Sequence, residues 1–138
     1  MRTFVHRMKY HDAPIPTTLL LAMSARLPPG IEALVPIPRS HVRRFRYGCD
    51  PAGTLADQIS RNTGIPAVRA LAHPWLAPRR AGRAANQRTD PRFRAVRPVR
   101  GRVALVDDVV TTGRTLVAAA DALGASRTRI ALTLTSSD

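Results

Sequence analysis

Two adjacent carboxylates, Asp107 and Asp108, are separated by Val109-Val110 from the run Thr111-Thr112-Gly113-Arg114-Thr115. Small residues that feed a helix offer backbone N–H groups and the positive end of a helix dipole, which suits a phosphate. The two Asp are unsuitable partners for that anion, because like charges repel. They suit sugar hydroxyls, which donate hydrogen bonds, and a hard cation such as Mg²⁺. Phosphate, diol and metal within one short segment describe a phosphorylated ribose. A strand–turn–helix unit whose Asp and Thr merely cap the helix needs one such residue, not five. A receiver-type acidic pocket needs further strands carrying another Asp and a Lys, and too little chain follows.

The elements that must position these groups are legible on either side. Val103–Val106 is four apolar residues in a row, a buried parallel strand with the Asp pair at its C-terminal end. Leu116–Leu123 is an apolar helix. In open α/β sheets ligands sit just beyond the carboxyl ends of strands. Upstream, Thr17–Leu27 reads as a helix ended by Pro28-Pro29-Gly30. Ala33–Val35 reads as a short strand stopped by Pro36-Ile37-Pro38, and Arg39–Tyr47 as a basic loop. Pro51–Asn62 reads as a helix with Leu55, Ala56 and Ile59 on one face and Gly64 as its stop. Ile65–Leu71 and Arg129–Thr135 read as further strands. Strands alternating with helices imply an α/β fold with a mostly parallel central sheet covered by helices. The stretch from 73 to 101 is Pro- and Arg-rich with weak helical character around Ala81–Gln87, a poor core segment that reads as a mobile basic lid.

Composition sets outer bounds. The 138 residues suit a single domain spanning 1–138. With aromatics at 4% and hydrophobics at 44%, the core must be built from Ala, Val, Leu and Ile. No apolar run approaches the ~20 residues of a membrane span. One cysteine, Cys49, forbids an internal disulfide or a cysteine-rich zinc site, and His6, His11, His41 and His73 lack metal-ligand spacing. The start, Met1 to Arg7, has no signal-peptide core, so a cytoplasmic protein is expected. Neither Gly-x-Gly-x-x-Gly nor Gly-Lys-Ser/Thr occurs, which excludes dinucleotide and P-loop sites. The net charge is +13, and residues 79–102 carry nine Arg against Asp90 alone. The surplus therefore flanks the proposed site. It fits an anionic small substrate or a nucleic acid, and its Arg character favours forked phosphate contacts.

The run from Val103 to Thr115 resembles the phosphoribosyl-pyrophosphate motif of type I phosphoribosyltransferases: hydrophobic strand, Asp-Asp, two variable residues, Thr-Thr-Gly-x-Thr. Within that superfamily, Val35-Pro36-Ile37-Pro38 followed by arginines is similar to the ComF family of competence-protein relatives. So are Arg83-Ala84-Ala85-Asn86, which matches an Arg-x-x-Asn loop end, and Met8-Lys9-Tyr10 near the start. Arg46-Tyr47-Gly48-Cys49-Asp50 stands where the family has Arg-Gly-Phe-Asn-Gln, so two amide side chains are missing. The family's N-terminal zinc ribbon is not seen.

The resemblance implies a type I phosphoribosyltransferase fold with a small N-terminal hood (1–30) and the lid (73–101). It implies a ComF-like enzyme that binds Mg²⁺-phosphoribosyl pyrophosphate and transfers the phosphoribosyl group to a nitrogenous base or related acceptor. Asp107 and Asp108 are the candidate catalytic residues and the candidate Mg²⁺ ligands. Thr111, Thr112, Gly113, Arg114 and Thr115 would cradle the 5′-phosphate. Pro36, Ile37, Pro38 and Arg39 would meet the pyrophosphate, and Arg79, Arg80, Arg83 and Asn86 would close over it. The alternative is a non-catalytic nucleotide-sensing or DNA- or RNA-binding protein of the same fold, linked to competence and DNA uptake. Homodimers are common in the superfamily, and the acceptor is not readable.

Overall fold

In the computed structural model, the described residues are 15–39, 50–73, 93–110 and 112–136. Helix α1 (Thr17–Ala25) begins where the Pro16 carbonyl accepts the N–H groups of Leu19 and Leu20 at 3.0 and 3.1 Å. It stops two residues short of the expected Leu27. Arg26 and Leu27 donate to Met23 and Ser24 instead, a tightened last turn set by the prolines that follow. Strand β1 (Ile31–Pro36) leads towards helix α2 (Pro51–Thr63). Asp50 caps α2 by accepting the Gly53 N–H at 3.1 Å, and Pro51 takes the first turn, where its missing donor is harmless. Gly64 ends it at φ 76°, a left-handed conformation that costs an L side chain about 1 kcal/mol or more.

Strand β2 (Leu71–Ala72) pairs antiparallel with β3 (Arg94–Ala95). Strand β4 (Arg102–Val110), helix α3 (Arg114–Leu123), a short 3₁₀ turn at Ala125–Arg127 and strand β5 (Thr128–Ser136) complete the chain. The main sheet has the order β1-β4-β5, all parallel. The expected strand over Ile65–Leu71 reduces to a single parallel bridge, Leu34 with Ala67. Leu34 donates to the Pro66 carbonyl and accepts from the Val68 N–H, but Pro66 has no donor with which to continue a ladder.

Side chains alternate along the strands and divide the core in two. Leu34, Ala104, Val106, Leu132 and Leu134 meet Leu55, Ala56 and Ile59 of α2 and Met23 of α1. Ala33, Val35, Val103 and Leu105 meet Ala119 of α3, with Ile37, Ala70 and Leu71. Both faces are covered, which is why β1 and β4 read as unbroken apolar runs. Ile15 and residues 17–25, expected to belong to a hood, pack on the α2 side of this core.

The β2–β3 pair, the Val96 N–H to Ala70 carbonyl bond at 2.8 Å and an edge-to-face contact of His73 with Phe93 join the two ends of the Arg-rich stretch. His73 and residues 93–101 thus belong to the framework, and the rest of the expected lid, residues 74–92, lies outside the described residues.

Candidate ligand site

Helix α2, which follows β1, lies on one face of the sheet, and α3, which follows β4, lies on the other. The two connections leave neighbouring parallel strands in opposite directions. The carboxyl ends of β1 and β4 therefore mark a topological switch point, the place where α/β sheets bind ligands. The last partner of β1 is Pro36, opposite Val106, and the Ile37 N–H still reaches the Val106 carbonyl at 2.9 Å. Strand β4 continues past this fork on β5 alone, with Asp107 opposite Thr133 and Val110 opposite Ser136.

The carboxylates therefore do not follow the strand, as the sequence suggested; they lie within it. Pairing with β5 extends the strand four residues beyond Val106, although Asp is a poor strand former. A local rule broken in this way is characteristic of a functional position.

Asp107 and Asp108 are 8% and 6% exposed, the buried charged residues among those described. The Asp108 N–H donates to Asp107 Oδ1 at 2.8 Å. Arg39, just past the Pro36–Pro38 turn, donates from Nη2 to Asp108 Oδ2 across the fork. Burial foremost, then the neighbouring Asp108 carboxylate, pushes the Asp107 carboxyl up to about 7; the Asp108 N–H and Arg39 pull weakly the other way. Of the two adjacent buried carboxyl groups, Asp108 thus meets the guanidinium. The donor set is all oxygen and negative, and it fits Mg²⁺, which usually takes one or two carboxylates and completes its shell with water and substrate phosphates. No cluster of three or more His, Cys, Asp or Glu suited to a metal occurs among the described residues, so a closed protein cage is not on offer there.

On the β4 side, α3 starts at Gly113, which sits at φ 71° and leaves open space where a Cβ would stand. Its demand is conformational, since a side chain would fit but the backbone would be strained. Among the described residues no side chain caps this helix end, and its first turn holds no acidic residue, so its dipole is not offset by a carboxylate of its own. Thr112 is exposed, and Gly113 and Thr115 are half-buried. Arg114 is exposed as well.

Of the turn after β1, Pro36 and Ile37 are buried and Ile37 packs on the α3 side, which leaves Pro38 and Arg39 with accessible surface. The structure thus brings Arg39, Asp107 and Asp108 together at the fork. Thr111, Arg79, Arg80, Arg83 and Asn86 lie outside the described residues, as do Lys9, Tyr10 and Cys49. Sequence reasoning missed the Arg39–Asp108 pair, whose members are 69 positions apart; only the parallel neighbouring of β1 and β4 could have suggested it. No helix among the described residues is long and apolar enough to cross a membrane.

No family model matches the chain. A curated relative, competence protein F of Haemophilus influenzae, is 38% identical over 94 residues, which cover 62% of this chain and 41% of the relative. The chain thus spans well under half of that relative's length. Among solved structures, a purine phosphoribosyltransferase from Pyrococcus horikoshii Ot3 aligns at a TM-score of 0.45 and 16% identity, covering 84% of this chain and 68% of the other. Over those 94 residues the chain is similar to competence protein F, and it carries an Asp-Asp strand running into Thr-Thr-Gly-Arg-Thr on a helix-flanked parallel sheet.

Proposed function

We propose that the fork between β1 and β4 binds phosphoribosyl pyrophosphate with Mg²⁺, and that the protein transfers the phosphoribosyl group to a nitrogen nucleophile with release of pyrophosphate. The observation that carries this reading is the meeting, at one switch point, of a buried Asp pair and a guanidinium from the neighbouring strand's end, on a strand that runs on into the start of a helix. A ligand that matches all three has hydroxyls and a cation in its middle and phosphates at both ends.

Departure of pyrophosphate leaves positive charge on the ribose carbon. The protein must hold the sugar still and neutralise the leaving group. Asp107 and Asp108 would accept hydrogen bonds from the ribose hydroxyls and hold Mg²⁺ directly or through water. Mg²⁺, when bound, would neutralise charge on the departing diphosphate. Thr112, Gly113 and Thr115, with Thr111 and Arg114, would orient the 5′-phosphate at the start of α3. Pro38 and Arg39 would meet the diphosphate, and Arg79, Arg80, Arg83 and Asn86 would exclude water from it. The acceptor's base is left open by the missing amide pair at 46–50.

Replacing Asp107 and Asp108 together with Asn is expected to abolish Mg²⁺-dependent binding of phosphoribosyl pyrophosphate in calorimetry; unchanged binding would reject the site. Pyrophosphate release measured across a panel of bases then identifies the acceptor.

A second reading has its own support. Arg94, Arg97 and Arg100 are all exposed and offer positive charge to a polyanion. On this reading the protein is a nucleotide sensor that grips DNA or RNA, in keeping with the competence role named for its Haemophilus relative. Affinity for either nucleic acid should then fall steeply with salt, and the slope should flatten when these arginines and Arg92 are replaced. No retention at low salt would dismiss it.

A further inference from the structure

We infer that Arg39 is a specificity-determining residue that makes the site accept a cation and a diphosphate together and disfavour either one alone. This rests on the ligand reading above and extends it to how the parts of the ligand depend on each other. The Arg39–Asp108 contact spans the fork, and both side chains are largely withdrawn from solvent, at 16% and 8% exposure. Its two members are the groups that the ligand would need separately, the acid for the cation and the guanidinium for the diphosphate. Arg39 is also held close to fixed backbone, because Ile37 is anchored in the core two residues before it and Pro38 stiffens the link.

A divalent cation arriving alone at Asp108 must displace a guanidinium and leave it unpaired in a half-buried setting. A diphosphate arriving alone must draw Arg39 away from Asp108 and bring its own negative charge up to two adjacent buried acidic groups. A cation-bound diphosphate exchanges both ends in one event: Arg39 moves to phosphate oxygens as the cation takes its place at Asp108. The ion pair is broken once, and each component raises the affinity of the other by the same factor.

Mn²⁺, followed by its paramagnetic signal, and inorganic pyrophosphate, followed by calorimetry with and without Mn²⁺, provide the test on the full chain. Arg39→Gln is expected to tighten Mn²⁺ binding in the absence of pyrophosphate by about fivefold or more, within the usual range of coupling between sites. It should also weaken metal-free pyrophosphate binding and lower the cooperativity between the two to what direct cation–diphosphate coordination supplies. Arg39→Lys keeps the charge but loses the planar fork, so its Mn²⁺ affinity should fall between the other two. It also keeps the test decisive if the Gln variant folds poorly. If charge alone mattered, Lys would match the wild type, and the inference would be overturned. It is overturned equally if Mn²⁺ binds wild type and Arg39→Gln alike, or if cooperativity in Arg39→Gln equals that of the wild type. Absence of Mn²⁺ binding to every variant at millimolar concentration would instead remove the cation site itself, and the ligand reading with it.

Discussion

Asp107→Asn is expected to make the ligand-free protein more stable at pH 8 while impairing its cation-dependent binding. Burial and the adjacent Asp108 raise the Asp107 carboxyl from its ordinary 3.8 to about 7 in the folded chain. Below about pH 4 the group is protonated whether the chain is folded or not, and it exerts no pull on stability. As the pH rises from there to 7, the unfolded chain releases this proton while the folded chain keeps it, so folding becomes less favourable. Above 7 the loss is complete and constant. Asn cannot ionise, and its side-chain oxygen can still accept the Asp108 N–H. The stability difference between variant and wild type should therefore be small near pH 4, grow through the window from 4 to 7 and level off above it. Its plateau should be on the order of 1–3 kcal/mol, as when buried charges are replaced by neutral groups of the same shape. Urea midpoints of both proteins at several pH values, without divalent cations, measure it. A difference that does not change with pH, or a variant less stable at pH 8, would contradict the assignment. A stabilising substitution that costs binding is the usual mark of a site held at the expense of the fold.

Leu34→Ala should have the largest effect on folding. Leu34 has no exposed surface and lies in the cluster that joins the α2 face of the sheet to α2 itself. Its backbone is engaged on both sides, paired with Ala104 of β4 and bonded to Pro66 and Val68. Truncation leaves a cavity that rigid neighbours on both strands cannot collapse into. Comparable changes cost roughly 2–5 kcal/mol, a large share of the 5–15 kcal/mol that usually holds a domain together. The expected result is a urea midpoint shifted far down with little change in slope, or a chain unfolded at room temperature. Because β1 also ends at the fork, loss of its central residue should release Arg39 along with the fold. A shift smaller than about 1 kcal/mol would mean that the cavity closes and that β1 is less firmly held than its pairing implies.

Much of the architecture was legible from local chemistry. Pro51 and Gly64 bracket α2 because one lacks a donor that the first turn does not use and the other tolerates a left-handed cap. The apolar runs at 33–35 and 103–106 announced strands covered on both faces. The Asp-Asp and Thr-Thr-Gly-Arg-Thr spacing is what suggested the sugar-phosphate site proposed above, because those groups suit the parts of such a ligand.

Other features were decided by partners distant in sequence. Strand β4 runs through Asp107 and Asp108 to Val110 because β5 supplies a ladder there, and strand propensity could not have extended it. Ile65–Leu71 looked like a strand but forms one bridge, since Pro66 has no N–H to give. The Pro36–Arg39 turn read as a single binding loop, whereas packing takes Pro36 and Ile37 into the interior and leaves Arg39 facing Asp108. The chain by itself determined which chemical groups are present and which local conformations they favour, because those depend on neighbours a few bonds away. Only the tertiary structure decided which carboxylate meets which guanidinium, because that depends on strand order and on helices leaving the sheet on opposite faces.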